Sequence, residues 1–253
     1  MLNFHVITLF PDLIDSYCRT SIIGRGHAQN CFTVRTVNPR AFCQDNYKRV
    51  DDKPYGGGYG MVLKPEPFFL AYESLTLTTN SAVILLTPQG KVFNQSLANE
   101  LVALSDIVLI SGHYEGFDER ISSICSHEVS VGDFVLTGGE LPALILIDSI
   151  ARLLPGVLGK SESLINESFH QNLLEGPQYT RPPVYKGLAV PDVLMSGDHK
   201  KIEKWRRFEA IKKTYLNRPD LLAKANLSKQ ELKDLEEVKR SLAEQNDNNG
   251  RQI

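Results

Sequence analysis

Two rhythms of apolar and polar residues alternate along the first 155 residues. Apolar runs at residues 4–10, 32–37, 82–86, 107–111 and 128–131 predict strands, the first closed by Pro11. Helical spacing falls at residues 12–18, 22–30, 67–77, 94–104, 118–125 and 141–154. The runs at 82–86 and 107–111 have no polar face, so they predict strands buried on both sides. Such strands alternating with helices predict a parallel sheet covered on both faces, an α/β domain. From pattern alone the sheet is doubly wound and unknotted. Residues 38–60 carry no periodicity and many turn residues. The pattern breaks again at 159–176, a polar stretch with Ser161, Ser163, Asn166 and Gln171. Pro177, Pro182, Pro183 and Pro191 imply an extended segment, and from Asp198 the chain is charged and helical. The predicted organisation is an α/β domain at 1–159, a linker at 160–176, a small all-helical domain at 177–246 and a disordered tail at 247–253.

One stretch organises the first domain. Residues 131–143 follow a strand and lead into the most apolar helical segment. Gly132, Gly138 and Gly139 let backbone approach a ligand closely, and Pro142 suits the first turn of a helix. Taken alone, the stretch reads as a tight connection. However, Thr87-Pro88-Gln89-Gly90 and Ser111-Gly112-His113-Tyr114-Glu115-Gly116 also follow predicted strands. Ligand crevices of open α/β sheets lie at the strands' carboxyl ends, so the three turns together predict one small-ligand site.

Composition narrows the class. With 253 residues, 42% hydrophobic and 23% charged, the chain has an ordinary globular composition. A net charge of −2 means that any basic surface is local. No apolar run is long enough to span a membrane, and the start of the chain carries no signal peptide. Cys18, Cys31, Cys43 and Cys125 are too scattered for a zinc site and imply reduced thiols in a cytoplasmic protein.

Other candidates have plain alternatives. Tyr55-Gly56-Gly57-Gly58-Tyr59-Gly60 lacks the ending of a phosphate-binding loop. With Tyr47, Lys48, Arg49, Asp51, Asp52 and Lys53 it suits single-stranded nucleic acid, or is simply a solvated loop. Arg152 follows Asp148 by four residues, the spacing of a structural ion pair, yet it sits in a helix apolar enough to be buried nearly all round. Glu167, beside Asn166 and Ser168, reads as a solvated loop residue. Lys200, Lys201, Lys204, Arg206, Arg207, Lys212 and Lys213 surround Trp205 and Phe208, forming a phosphate-binding helix or a plain solvated face.

Taken in order, several motifs resemble the bacterial tRNA (guanine-N1)-methyltransferase family, TrmD. They are VDDKPYGGG at 50–58, PQG at 88–90, GHYEGFDER at 112–120, GDFVLTGGELPA at 132–143, PGVLG at 155–159 and YTRP at 179–182. The resemblance implies a SPOUT-type sheet with a deep trefoil knot, a homodimer, and S-adenosylmethionine bound bent in the knot. It also implies methylation of N1 of guanosine 37 in tRNA carrying guanosines at 36 and 37.

The cofactor residues it implies are Leu86, Thr87, Pro88, Gly112, Tyr114, Glu115, Val131, Gly132, Asp133, Phe134, Val135, Leu136, Gly138, Gly139 and Pro142. Implied tRNA contacts are Asp51, Tyr55, Gly57, Ser168, Glu175, Gln178 and Arg181. Guanine N1 carries a proton, so a base must remove it as the methyl arrives, and charge developing on O6 needs a fixed donor. The family's linker aspartate corresponds to Glu167 and its stabilising arginine to Arg152. Gln178 replaces a common histidine, and Tyr59 a common proline. No metal-ligand cluster is legible, so the sequence is silent on a divalent ion. The competing readings are a knotted RNA-binding protein without catalysis and a SPOUT methyltransferase acting on ribosomal RNA.

Overall fold

The computed structural model describes residues 1–159 and 167–249 and divides into two compact units, Met1–Ser161 and Glu162–Ile253. In the first unit, β1 (Leu2–Ile7), β2 (Phe32–Val37), β5 (Ser81–Val92), β6 (Asp106–Ile110) and β7 (His127–Ser130) form one sheet in the order β2-β1-β6-β5-β7. Every neighbouring pair is parallel. A separate antiparallel pair, β3 (Asp51–Asp52) and β4 (Val62–Leu63), closes the aperiodic region.

The strands' two-residue period builds a core on each face of the sheet. Phe4, Val6, Ile84, Leu86, Ile107 and Leu109 point to one side. There they meet α1 (Pro11–Cys18), α2 (Ser21–Ala28), α4 (Gln95–Leu101) and α5 (Glu140–Ala151). Ile7, Val83, Leu85, Val108 and Ile110 point to the other side, under Phe68 and Ala71 of α3 (Pro65–Glu73). Ile121 of a 3₁₀ turn, Glu119–Ile124, packs there too. That turn replaces the α-helix expected at 118–125; Asp118 caps it by accepting from the Arg120 N–H.

Asp106, at the start of β6, ties the sheet together. It accepts hydrogen bonds from the Thr78 backbone and hydroxyl at 3.0 and 2.6 Å, and from Asn3 at 3.0 Å. Its Oδ1 also lies 3.2 Å from His5 Nε2. Burial opposes ionisation of this carboxyl, but the bonds from Thr78, Asn3 and His5 outweigh it and hold the group at about 2. Because this lies below the unfolded value of about 3.9, the contribution is full above about pH 4 and is lost as pH falls through about 2. Asp106→Asn is expected to cost on the order of 2 kcal/mol at pH 7 and to flatten this acid dependence. Urea titrations across pH check both.

Two departures concern the site. The segment at 87–90, expected as a turn after a strand, lies within the twelve-residue β5. Leu86 and Lys91 both pair with Val129, so the four residues between them bulge out of register. A Cβ at Gly90 would lie 2.3 Å from Val129 N, so the backbones touch there. Helix α5 is not buried all round: Leu141 is 54% and Ile145 43% exposed, on the stripe that continues to Asp148 and Arg152.

The second unit contains α6 (Asp192–Met195), α7 (His199–Asn217), α8 (Pro219–Leu222) and α9 (Lys229–Asn249). It is not all helical: β8 (Val184–Tyr185) pairs with β9 (Leu188–Ala189) around Lys186 and Gly187, both at positive φ. Ser228 and Glu231 close the start of α9 reciprocally, a capping box. Residues 247–249, expected in the tail, continue α9 because each added helical residue gains a backbone bond without a new nucleus. The rest of that tail, and linker residues 160–166, lie outside the described residues. The remainder of the expected linker packs into this unit. Leu173 is buried with Ile211 and Leu235, and the Leu174 N–H donates to Thr214 Oγ1 at 2.8 Å.

Candidate active site

A cavity of about 380 Å³ opens beside the bulge in β5 and past the ends of β6 and β7. Its lining includes Leu86, Thr87, Pro88, Gly112, Tyr114, Glu115, Val131, Gly132, Phe134, Val135, Leu136, Gly138, Gly139 and Pro142, so the β5 bulge and the loops after β6 and β7 share one wall. Asp133 does not line it and is exposed in the same loop.

The loops are stitched by their backbones. Gly139 N donates to Gly112 O at 2.8 Å, and His113 bridges Gly138 in antiparallel fashion. Side chains would not fit in several places. A Cβ at Gly139 would lie 2.7 Å from Ser111 Cα, one at Gly138 2.2 Å from the His113 ring, and one at Gly112 2.3 Å from the Phe117 ring. These three glycines are needed for close approach rather than for positive φ.

Sequence reasoning missed a buried polar knot behind the wall. Glu140 is 4% exposed at the N-terminus of α5, where the helix dipole favours an anion. It accepts from the Thr8 hydroxyl at 2.6 Å, and its other oxygen lies 2.7 Å from His113 Nε2. Thr8 follows β1, so the knot joins β1, the His113 loop and α5. The available signal was a carboxylate opening an otherwise apolar helix, which burial allows only if it is paired. Glu140→Ala leaves Thr8 and His113 without that partner. It is expected to cost about 1–3 kcal/mol in chemical denaturation and to weaken any ligand of this cavity.

Carboxylates also face the cavity. Glu115, Glu119 and Glu128 line it, and so does Asp118. Asp118 is committed to Arg120, whose hydrogen bonds at 2.7 and 2.8 Å hold its carboxyl below the usual range. The acidic lining favours a ligand with positive charge.

The glycine loop reaches the same place. Glu115 N donates to Met61 O at 3.0 Å and Leu63 N to Gly116 O at 2.9 Å. A Cβ at Gly60 would lie 2.4 Å from the Glu115 side chain. Asp51 pairs with Leu63 at the root of this loop. Tyr55 is fully exposed toward its tip, and Gly57, at φ 80°, lies beside it. Arg152 is half-buried immediately after α5.

The remaining candidates belong to the second unit. Glu167 is half-buried, and its carbonyl accepts from His170 N at 3.2 Å. Ser168 Oγ accepts from Glu175 N at 3.0 Å, and Glu175 Oε1 accepts from Gln178 Nε2. Ser168, Glu175 and Gln178 are therefore linked in one chain, and Gln178 lines a second cavity together with Arg181. Among the described residues there is no cluster of three or more His, Cys, Asp or Glu side chains that could hold a metal, and no helix long and apolar enough to cross a membrane.

Comparison with known proteins agrees over nearly the whole chain. The family model described as tRNA (Guanine-1)-methyltransferase TrmD matches residues 2–224. A tRNA (guanine-N(1)-)-methyltransferase of Dictyoglomus turgidum is 48% identical over 245 residues, covering 97% of this chain and all of that protein. Proteins of the same name from Synechococcus sp. (strain JA-3-3Ab) and Clostridioides difficile are each 52% identical. They cover 96% and 89% of this chain and 96% and 99% of their own lengths.

Proposed function

The chain belongs to the tRNA (guanine-1)-methyltransferase family TrmD, an enzyme family that methylates guanine N1 in tRNA, and from that premise we propose its donor, target and catalytic groups. The donor is S-adenosylmethionine in the first unit's cavity, and the target is guanosine 37 beside a guanosine at 36. The observation that carries the donor assignment is the cavity itself, walled by loops that Gly112, Gly138 and Gly139 let pack closely on one another and lined by Glu115, Glu119 and Glu128. Carboxylates lining such a cavity suit a molecule that carries sulfonium and ammonium charges together. When bound, it supplies an electrophilic methyl group.

The chain's own residues do the rest. Glu167 takes the N1 proton, leaving a lone pair for the new N–C bond. Arg152 meets the negative charge that appears on O6. The glycine loop from Asp51 through Tyr55 and Gly57, fixed against Glu115, offers an exposed ring and bare backbone to the guanine. Ser168, Glu175, Gln178, Arg181 and the basic face of α7 are the contacts of the second unit with tRNA. A homodimer is supported by the partly exposed Leu13 and Tyr17 of α1 and Leu141 and Ile145 of α5, helices that pack together. The trefoil knot is carried over from the family resemblance; it would lie where the 111–116 and 138–139 loops meet.

Titration calorimetry tests the donor site. Saturable binding of S-adenosylmethionine, one per chain, is expected for the wild type and is expected to be lost in Gly139→Val. A wild type that takes up none would contradict the assignment.

A further inference from the structure

A second cavity, of about 730 Å³, lies wholly within the second unit and takes no part in the chemistry described above. Its volume falls in the range of small-ligand pockets. One wall is the extended run from Pro177 to Pro183, the floor is Val190 with Leu194 and Met195 at the end of α6, and Arg206 of α7 closes the rim. Tyr179 in the wall leans on Trp205, their ring centroids 6.3 Å apart.

The lining combines flat apolar groups with cations and excludes acids. Pro177, Pro182 and Pro183 and the methionine offer surfaces for a planar ring, and Arg181 and Arg206 offer two guanidinium groups. No Asp, Glu, His or Cys lines it, so it has no general base and no metal ligand. Arg181, Arg206 and Tyr179 are exposed, and Met195 is 54% exposed, so the cavity opens to solvent. An open site lined by flat apolar groups and two guanidinium groups matches a splayed base with its own phosphate, the way proteins read single-stranded RNA. Arg206 shares its side of α7 with Lys213, while Arg207 is held by Glu231 and Lys201 by Asp198, so Arg181 and Arg206 are the cations this cavity offers a phosphate.

We infer that this cavity holds one unpaired nucleotide of the tRNA substrate, other than the guanosine that is methylated: its base against Pro182, Leu194 and Met195, and its phosphate on Arg181 and Arg206. The inference rests on the tRNA-methylating reading above and adds a second anchor point for the same substrate. Such a nucleotide sets tRNA affinity and register without touching the reacting atoms.

The test is Met195→Asp, which places a carboxylate on the floor at a position exposed enough to spare the fold. Its KM for tRNA is expected to rise at least tenfold, with S-adenosylmethionine affinity at the wild-type value, while Met195→Leu stays within about twofold. Single abasic nucleotides placed in turn through the unpaired positions of the tRNA identify the occupant. At one of them, wild type and Met195→Asp are expected to converge. Arg206→Gln is expected to reduce the salt dependence of tRNA binding by about one phosphate contact. A Met195→Asp enzyme with wild-type KM, or a defect that persists at every abasic position, overturns the inference while leaving tRNA methylation intact. Wild-type protein that fails to methylate tRNA at all would instead overturn the reading beneath it.

Discussion

Glu167→Gln is expected to lower methyl transfer to tRNA by roughly 10²–10⁴-fold, the usual contribution of a positioned general base, with S-adenosylmethionine binding unchanged. The amide matches the carboxylate in size and keeps hydrogen-bonding capacity, but it cannot accept the N1 proton at neutral pH. Without that acceptor the nitrogen must attack with its proton in place. The cavity proposed for the donor is lined by first-unit residues, none of them Glu167, so affinity for the donor and kcat are expected to separate. Single-turnover assays at saturating tRNA and donor read the chemical step directly. Glu167→Asp restores the shorter side chain common in the family. Substantial retained activity is expected there, with any loss reporting how far the reach of the carboxylate is tuned. Full activity in Glu167→Gln would end this assignment.

Arg152→Ala is expected to cost roughly 10²–10³-fold in the same assay, the typical loss when one fixed donor to a developing oxyanion is removed. Arg152 lies directly beyond the carboxyl end of α5, where the helix dipole favours a cation, on the stripe shared with Leu141, Ile145 and Asp148. Asp148 Oδ2 on that stripe accepts from the Tyr17 hydroxyl at 2.5 Å, which ties α5 to α1. Arg152→Lys keeps the charge but loses the planar fork, and an intermediate rate is expected. Activity within twofold of wild type in Arg152→Ala would return the residue to a structural role.

How much of this could be read from the sequence depended on which force shaped each segment. Strands β5 and β6 were legible at their buried ends because Val83–Leu86 and Ile107–Ile110 contact apolar groups on both faces. The loops after β6 and β7 were legible because close backbone approach demands glycine at Gly112, Gly138 and Gly139. The continuation of β5 to Val92 was hidden: Pro88, Gln89 and Gly90 read as a turn, while tertiary pairing with β7 carries the chain onward through a bulge. The β8–β9 hairpin escaped because two-residue strands leave no periodicity.

Helix α5 shows a subtler limit. Its composition implied burial on every side, and the case for Arg152 as a costly buried charge relied on that. In the structure the arginine is only half-buried and one apolar stripe is open, so its proposed role rests on the resemblance and on position instead. Hydrophobicity reports that a face will be covered, not whether the cover comes from the same chain. Glu167 had no local signal at all. Its candidacy depends on alignment with a family motif, as does the distinction between guanosine 37 and any other guanosine.

The most direct test of the account is transfer of a labelled methyl group from S-adenosylmethionine to unmodified tRNA, followed by nucleoside mapping. With guanosines at 36 and 37, label is expected in 1-methylguanosine at position 37 and nowhere else, and it should disappear when position 36 is changed. Label at another atom or nucleotide, or methylation without S-adenosylmethionine, would contradict it.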